Sequence, residues 1–118
     1  MERVCGLGGV FLRADDPDGL SRWYADVLGV VDSSEGVWRQ QDGPTVFAVF
    51  PRNDDHFPLD QPVMLNFRVA DLGAMLRQLR GAGVPVLREE DQAGVGRFAW
   101  VADPEGNRVE LWEPAADG

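Results

Sequence analysis

Cysteine, histidine and lysine are scarce or absent in this sequence. The chain of 118 residues contains one cysteine, Cys5, and one histidine, His56, and its eleven basic residues are all arginine. A single cysteine cannot form an internal disulfide, which agrees with a reducing compartment. A catalytic Cys5–His56 pair would have to join distant segments, so the sequence gives little support for a cysteine nucleophile.

The sequence also lacks a long hydrophobic run. Every apolar stretch is far shorter than the ~20 residues that span a bilayer, and the N-terminus lacks the layout of a secretory signal. The net charge of −9 argues against binding to nucleic acid or to anionic membranes. We therefore expect a cytoplasmic protein with neither partner, and the length fits a single domain spanning residues 1–118.

What the sequence does contain is a repeated pattern. The segments 8–30 and 63–84 each begin with alternating residues and continue into a helical stripe that ends at glycine. Asp16 and Asp71 are good N-caps, and Gly29 and Gly83 are typical of helix ends. The two caps lie 55 residues apart and the two glycines 54. This spacing indicates an internal duplication.

Short strands separated by turn signals are predicted after each helix. They are expected near residues 30–32, 36–41 and 45–50 in the first half, and near 84–88, 96–102 and 107–113 in the second. The acidic run at 88–91 is interpreted as a solvated turn. Each half is then a βαβββ module, at about 4–51 and 62–114, with a polar linker at 52–61. Two such modules predict an α+β fold whose curved mixed sheet has helices outside and a concave cleft within.

The tandem layout and the segment DPEGNRVELWEP at residues 103–114 resemble the vicinal oxygen chelate superfamily of glyoxalase, bleomycin resistance and dioxygenase proteins. The resemblance covers nearly the whole chain and implies the fold described above. It does not imply one reaction, because one scaffold hosts unrelated chemistries. It also implies a homodimer, and leaves open whether the halves pair within one chain or across two.

Metal-using members of this superfamily hold a divalent cation with donors from four strands. The resemblance places the acidic ligand on Glu110 and the other three positions on Gly9, Met64 and Phe47. None of these three supplies the nitrogen or oxygen donor that such a cation needs. Glu110 is therefore the only retained ligand position, and neither a metal nor another cofactor is expected. A divalent metal, with the loop residue His56 as an additional ligand, is the alternative.

Strand alternation predicts which side chains face the cleft. They form an apolar and aromatic set with few polar groups, as small-molecule sites do. The predicted ligand-binding residues are Phe11, Arg13, Phe47, Met64, Asn66, Arg68, Trp100, Glu110 and Trp112. The alternation leaves open whether residues 97–101 contribute Phe98 and Trp100 or Arg97.

Glu110 is the least expected member of this set, because a buried carboxylate needs a partner. The preferred interpretation pairs it with Arg68 or Arg13, ahead of ligand recognition and of metal coordination. Three functions stay open. The preferred one is metal-independent binding of a small, largely apolar or aromatic molecule. The alternatives are a lyase, isomerase or dioxygenase that depends on a metal or on Glu110, the only catalytic candidate, and a structural partner domain.

Overall fold

Two helices and four strands make up the regular structure of the protein, for which a computed structural model describes residues 1–30 and 36–116. The helices are α1 (Pro17–Leu28) and α2 (Leu72–Gly81), and the strands are β1 (Leu65–Arg68), β2 (Arg88–Gln92), β3 (Gly96–Ala102) and β4 (Arg108–Pro114). Within the described residues, neither helix is long and apolar enough to cross a membrane.

The strands form one curved mixed sheet in the order β1-β4-β3-β2. β1 pairs with β4 in parallel, whereas β4 with β3 and β3 with β2 are antiparallel. Both helices pack against the same face of this sheet and share one apolar core with it. The predicted α+β class, with a curved mixed sheet and helices outside it, is confirmed.

Both helices begin where the sequence predicts. The side chain of Asp16 accepts a hydrogen bond from Gly19 N at 3.0 Å, and Asp71 accepts one from Ala74 N at the same distance. Each cap satisfies a backbone N–H that has no partner within the helix. Gly29 takes the left-handed conformation (φ 73°) and ends α1. α2 ends slightly before its predicted glycine, at Gly81.

The second half forms the predicted strand–helix–three-strand module, with one shift. The strand expected at 84–88 is found at Arg88–Gln92, so the interpretation of residues 88–91 as a solvated turn was wrong. These charged residues form an edge strand that pairs with β3 across the turn at 93–95. Charged side chains are common on edge strands because they discourage pairing with other chains.

The first half departs further from the prediction. Residues 1–14 and 36–50 contain no strand, so the strands expected at 8–14, 36–41 and 45–50 are not formed. Most of the strand expected at 30–32 lies outside the described residues. A strand requires a neighbouring edge to pair with, and these two segments have no ladder partner among the described residues. The larger sheet expected from two modules side by side is therefore reduced to four strands.

Candidate functional site

The sheet face opposite the helices carries an aromatic cluster. Phe98 and Trp100 on β3 and Trp112 on β4 are all buried there, which resolves the ambiguity of residues 97–101 in favour of the aromatic pair. The ring of Phe98 lies 6.0 Å from that of Trp112 with an interplanar angle of 2°, and 6.1 Å from that of Trp100 with an angle of 18°. We call this surface the aromatic face, defined by these three rings and Glu110.

Glu110 lies on the aromatic face directly opposite Trp100 in the antiparallel register. Its side chain is 9% exposed, and both of its carboxylate oxygens have partners. Oε1 accepts a hydrogen bond of 2.6 Å from Asn66 Nδ2, while Oε2 lies 2.9 Å from His56 Nε2. An ionised carboxylate can only accept, so Nε2 carries the hydrogen of this second bond.

The expected pairing of Glu110 with arginine was wrong. The guanidinium of Arg68 donates instead to the backbone carbonyls of Gln41, at 2.8 Å, and Pro44. Arg13 is exposed on the N-terminal segment. The imidazole and amide that replace them satisfy both oxygens of the buried carboxylate, as burial of such a group requires.

His56, which the sequence places in the polar linker, is a further residue of the site. Its backbone N–H donates to Asp54 Oδ1 at 2.8 Å, which fixes a local turn in the linker. Its ring meets those of Phe50 and Trp100 edge to face, with centroids 5.3 and 5.5 Å apart. The sequence contains only one indication of this contact, a lone histidine in a linker that is able to reach the cleft. Periodicity could not predict it, because His56 and Glu110 lie 54 positions apart and on different kinds of segment.

Two polar features border the aromatic rings. The guanidinium carbon of Arg88 lies 5.2 Å from the centroid of Trp100, a cation–π arrangement, and its Nη2 lies 3.4 Å from Glu90 Oε2. The buried indole N–H of Trp100 has no hydrogen-bond partner among the described residues, whereas that of Trp112 donates to Val95 O at 3.0 Å. A buried donor without a partner costs about 1–3 kcal/mol.

The structure brings together most, but not all, of the predicted ligand-binding residues. Strand register places five of them on the aromatic face, Asn66, Arg68, Trp100, Glu110 and Trp112, and Met64 packs against its rings from just before β1. Phe11 instead lines a separate cavity of about 250 Å³ beside Leu65 and Val109, which belong to the helix side of the sheet. Phe47 is 85% exposed.

We take the aromatic face rather than that cavity as the candidate site. The cavity lies between residues 9–12 and a wall that includes Tyr24, Leu65 and Val109, and neither Glu110 nor His56 lines it. The aromatic face combines stacked rings with a buried carboxylate and an unsatisfied donor. Apolar walls with a few convergent polar groups are the usual composition of a small-molecule site.

The donors around Glu110 do not fit a divalent metal centre. Among the described residues, no group of three or more histidine, cysteine, aspartate or glutamate side chains is arranged to hold a metal ion. Glu110 and His56 are two such donors, bonded to each other, and Gly9 and Met64 add none that a hard or borderline cation prefers. Protein sites for such cations usually supply at least three ligands.

The remaining buried polar pair lies on the helix side of the sheet. Tyr24 of α1 donates a hydrogen bond of 2.7 Å to Asp103 Oδ2, and both residues are buried. Burial raises the pKa of Tyr24 well above its usual range, and the hydrogen bond to Asp103 and the charge of that carboxylate add to the effect. Tyr24 therefore stays protonated in the folded protein and acts as a structural connection between α1 and the turn before β4.

The protein is thus an α+β domain with a curved four-stranded sheet, helices on one face and a carboxylate among aromatic rings on the other. The chain belongs to the Glyoxalase-like domain family, whose model matches residues 9–112. This confirms the superfamily that the sequence resembles.

Solved structures give the same fold. The antibiotic-binding protein TnmS3 from Streptomyces sp. CB03234 is 24% identical over 88% of this chain and 91% of its own, with a TM-score of 0.56. Lactoylglutathione lyase from Agrobacterium tumefaciens is 21% identical over 95% and 96%, with a TM-score of 0.62. A glyoxalase/bleomycin resistance protein from Streptomyces sp. CB03234 is 25% identical over 84% and 92%, with a TM-score of 0.52. No curated protein sequence matches the chain significantly.

Proposed function

We propose that the protein binds a small, largely apolar or aromatic molecule at the aromatic face, without a metal. The observation that carries this proposal is the combination of three stacked rings with one buried carboxylate on a single sheet face. Planar ligands gain stacking energy on such rings, and a few fixed polar groups set their orientation. The fold of TnmS3, an antibiotic-binding protein, agrees with this role.

The polar groups of the face suit recognition. Glu110 accepts hydrogen bonds through both oxygens, and the indole N–H of Trp100 is a buried donor with no acceptor in the part of the chain that the structure describes. A ligand atom that accepts from Trp100 removes the cost of this unsatisfied donor, which is about 1–3 kcal/mol. The absence of a metal is supported by the poor donor set around Glu110.

An enzymatic alternative is favoured by one observation, the 2.9 Å contact between Glu110 and His56. A carboxylate beside an imidazole is an arrangement found in general acid–base sites. Both oxygens of Glu110 are already hydrogen-bonded, however, to His56 and Asn66, so neither is free to accept a proton from a substrate in this arrangement. Binding therefore remains the preferred function. Retained ligand affinity with lost turnover in Glu110→Gln would establish the enzymatic alternative.

A purely structural role is the other alternative, because the protein's own linker covers part of the aromatic face. If this face served only for packing, apolar side chains would stabilise it more than a histidine, a carboxylate and an amide do. Burial of polar groups costs free energy even when they are paired. The cluster of His56, Asn66 and Glu110 is therefore better explained by recognition than by packing.

We also propose that the protein acts as a homodimer in the cytoplasm. The segments 1–12 and 37–50, which contain no helix or strand, expose large apolar side chains, among them Val4, Phe11, Phe47 and Val49, at 85–96% of their surface. A second copy of the chain offers the same segments and a free edge of β1 for pairing. The single cysteine, Cys5, is free and exposed, which agrees with a reducing environment.

The binding role is tested by tryptophan fluorescence against a panel of aromatic antibiotics and small metabolites. A ligand of the aromatic face should change the emission of the wild-type protein and of Trp23→Phe, whose missing ring lies on α1. The change should be reduced in Trp112→Phe, which lacks the ring that stacks on Phe98. A panel in which no compound perturbs the emission would count against a binding role.

The proposal that binding requires no metal is tested by titrating the protein separately with Zn²⁺, Ni²⁺, Mn²⁺ and Fe²⁺. We expect no change in melting temperature or in tryptophan emission. A one-to-one metal complex that is lost in Glu110→Ala would overturn it.

A further inference from the structure

The linker places a planar ring on the aromatic face. The His56 imidazole stands edge to face against Trp100, with an interplanar angle of 80°, and forms its hydrogen bond with Glu110. It therefore makes both kinds of contact that the face offers, one with an aromatic surface and one with a buried carboxylate. A small aromatic ligand of this site would need the same contacts.

His56 is held less firmly than Glu110 and Trp100, the two groups that it contacts on the sheet. It lies in residues 51–62, a segment without helix or strand, and its side chain is 28% exposed. Glu110, Trp100 and Phe98 lie on paired strands and are buried. Displacing the imidazole thus requires movement of a loop, whereas the carboxylate and the rings beneath it stay in place.

Displacement of the His56 imidazole would remove one of the two hydrogen-bond donors to Glu110. Glu110 Oε2 would have no partner, and a buried carboxylate without a hydrogen-bond donor is strongly unfavourable. A ligand that displaces His56 must therefore bring a donor to this oxygen. A ligand carboxylate would face Glu110 with like charge, and the net charge of −9 opposes its approach further.

We propose that His56 occupies the ligand's position in the free protein, and that the ligand is a planar heteroaromatic molecule whose ring N–H donates to Glu110. This inference rests on the proposed binding function and narrows it to one chemical class. The linker acts as an internal competitor, so ligand affinity depends on the free energy needed to displace the imidazole.

Benzimidazole and 1-methylbenzimidazole form a matched pair of probes at pH 8, where both are neutral and only the first has a ring N–H. Each is titrated against the wild-type protein, His56→Ala and His56→Phe, with tryptophan emission and calorimetry as readouts. His56→Ala removes the competitor. His56→Phe keeps an aromatic ring there without the N–H and serves as the control for packing.

We expect His56→Ala to bind benzimidazole about tenfold more tightly than the wild type, equivalent to about 1.4 kcal/mol. His56→Phe should show no such gain, and 1-methylbenzimidazole should bind His56→Ala about tenfold more weakly than benzimidazole does. Adding Glu110→Gln to His56→Ala should reduce the difference between the two probes. Circular dichroism establishes that each variant is folded.

Equal affinity of the two probes for His56→Ala would refute the N–H donor, and weaker benzimidazole binding by His56→Ala than by the wild type would refute His56 as a competitor. If panel compounds bind the wild type while either result is obtained, this inference fails and the binding function stands. If neither the panel nor the probes bind any folded variant, both fail.

Discussion

Alkaline pH should destabilise this protein mainly through one side chain, Tyr24. The chain has a single tyrosine and no lysine, and arginine keeps its proton throughout the accessible range. In the unfolded chain tyrosine has a pKa of about 10. In the folded protein burial, the hydrogen bond to Asp103 and that residue's charge raise the pKa of Tyr24 well above this value. Only the unfolded chain then releases the tyrosine proton as the pH rises.

The sign and size of the effect follow from this difference. Because the folded-state pKa is the higher one, the stability contribution is fully present below pH 10 and is lost as the pH rises above it. The free energy of unfolding should fall by about 1.4 kcal/mol at pH 11 and by about 2 kcal/mol at pH 11.5. Tyr24→Phe has no proton to release and should not show this loss.

At neutral pH the same substitution should be destabilising. A hydrogen bond to a charged group contributes about 1.5–3 kcal/mol, and Asp103 Oδ2 keeps a second donor, Asn107 Nδ2 at 2.8 Å, so we expect a loss near 1–2 kcal/mol. Urea unfolding at pH 8 and pH 11, followed by tryptophan emission, should therefore give curves that differ at the lower pH and converge at the higher. Absorbance at 295 nm should show tyrosinate only when the protein unfolds. A native tyrosinate signal with its midpoint near pH 10 would refute the buried hydrogen bond.

Two further predictions concern the β3–β4 contact and the proposed dimer. Gly96 has φ 139°, and a Cβ there would collide with the Glu113 carbonyl and lie 2.7 Å from Trp112 Nε1. Gly96→Ala should therefore lower the free energy of unfolding, measured in urea, by at least about 3 kcal/mol. Gly94→Ala should lower it by only about 1 kcal/mol, because a Cβ at that position would meet nothing. Equal losses in the two variants would contradict the close approach of β3 and β4 at Gly96. Light scattering at two concentrations should show dimers that Phe47→Asp shifts toward monomer. Leu59→Asp should leave the dimers intact, because Leu59 is an exposed apolar residue outside segments 1–12 and 37–50. A wild-type protein that is monomeric at millimolar concentration would argue against the dimer.

The helices were predictable because their signals are local. Asp16 and Gly29 cap α1 at its two ends and Pro17 is its first residue, and each acts on backbone groups next to it. The same holds for Asp71 at α2. The buried stripe of each helix also follows from spacing alone, since Leu20, Tyr24 and Leu28 recur on one face and are buried.

The strands were harder to predict, because a strand forms only beside a partner strand and the sequence does not reveal which segments pair. Residues 88–91 are as polar as a turn, and they form β2 only because β3 returns beside them after the turn at 93–95. The alternation around Glu110 correctly predicted a residue on the face opposite the helices. The partners of Glu110 were not predictable, because Asn66 lies on a strand whose register is set by parallel pairing and His56 reaches it from a loop.

The two halves carry similar local signals and yet differ in structure, and this difference bears on the proposed dimer. In the second half, β3 and β4 form a hairpin that offers edges to β1 and β2, so alternating segments become strands. Segments 1–14 and 36–50 have the same alternation but find no edge among the described residues, and their apolar side chains remain exposed. Exposed apolar patches of this kind mark interaction surfaces. In the proposed dimer a second copy of the chain would cover them, because it presents the same segments and an edge of β1 that has no partner among the described residues.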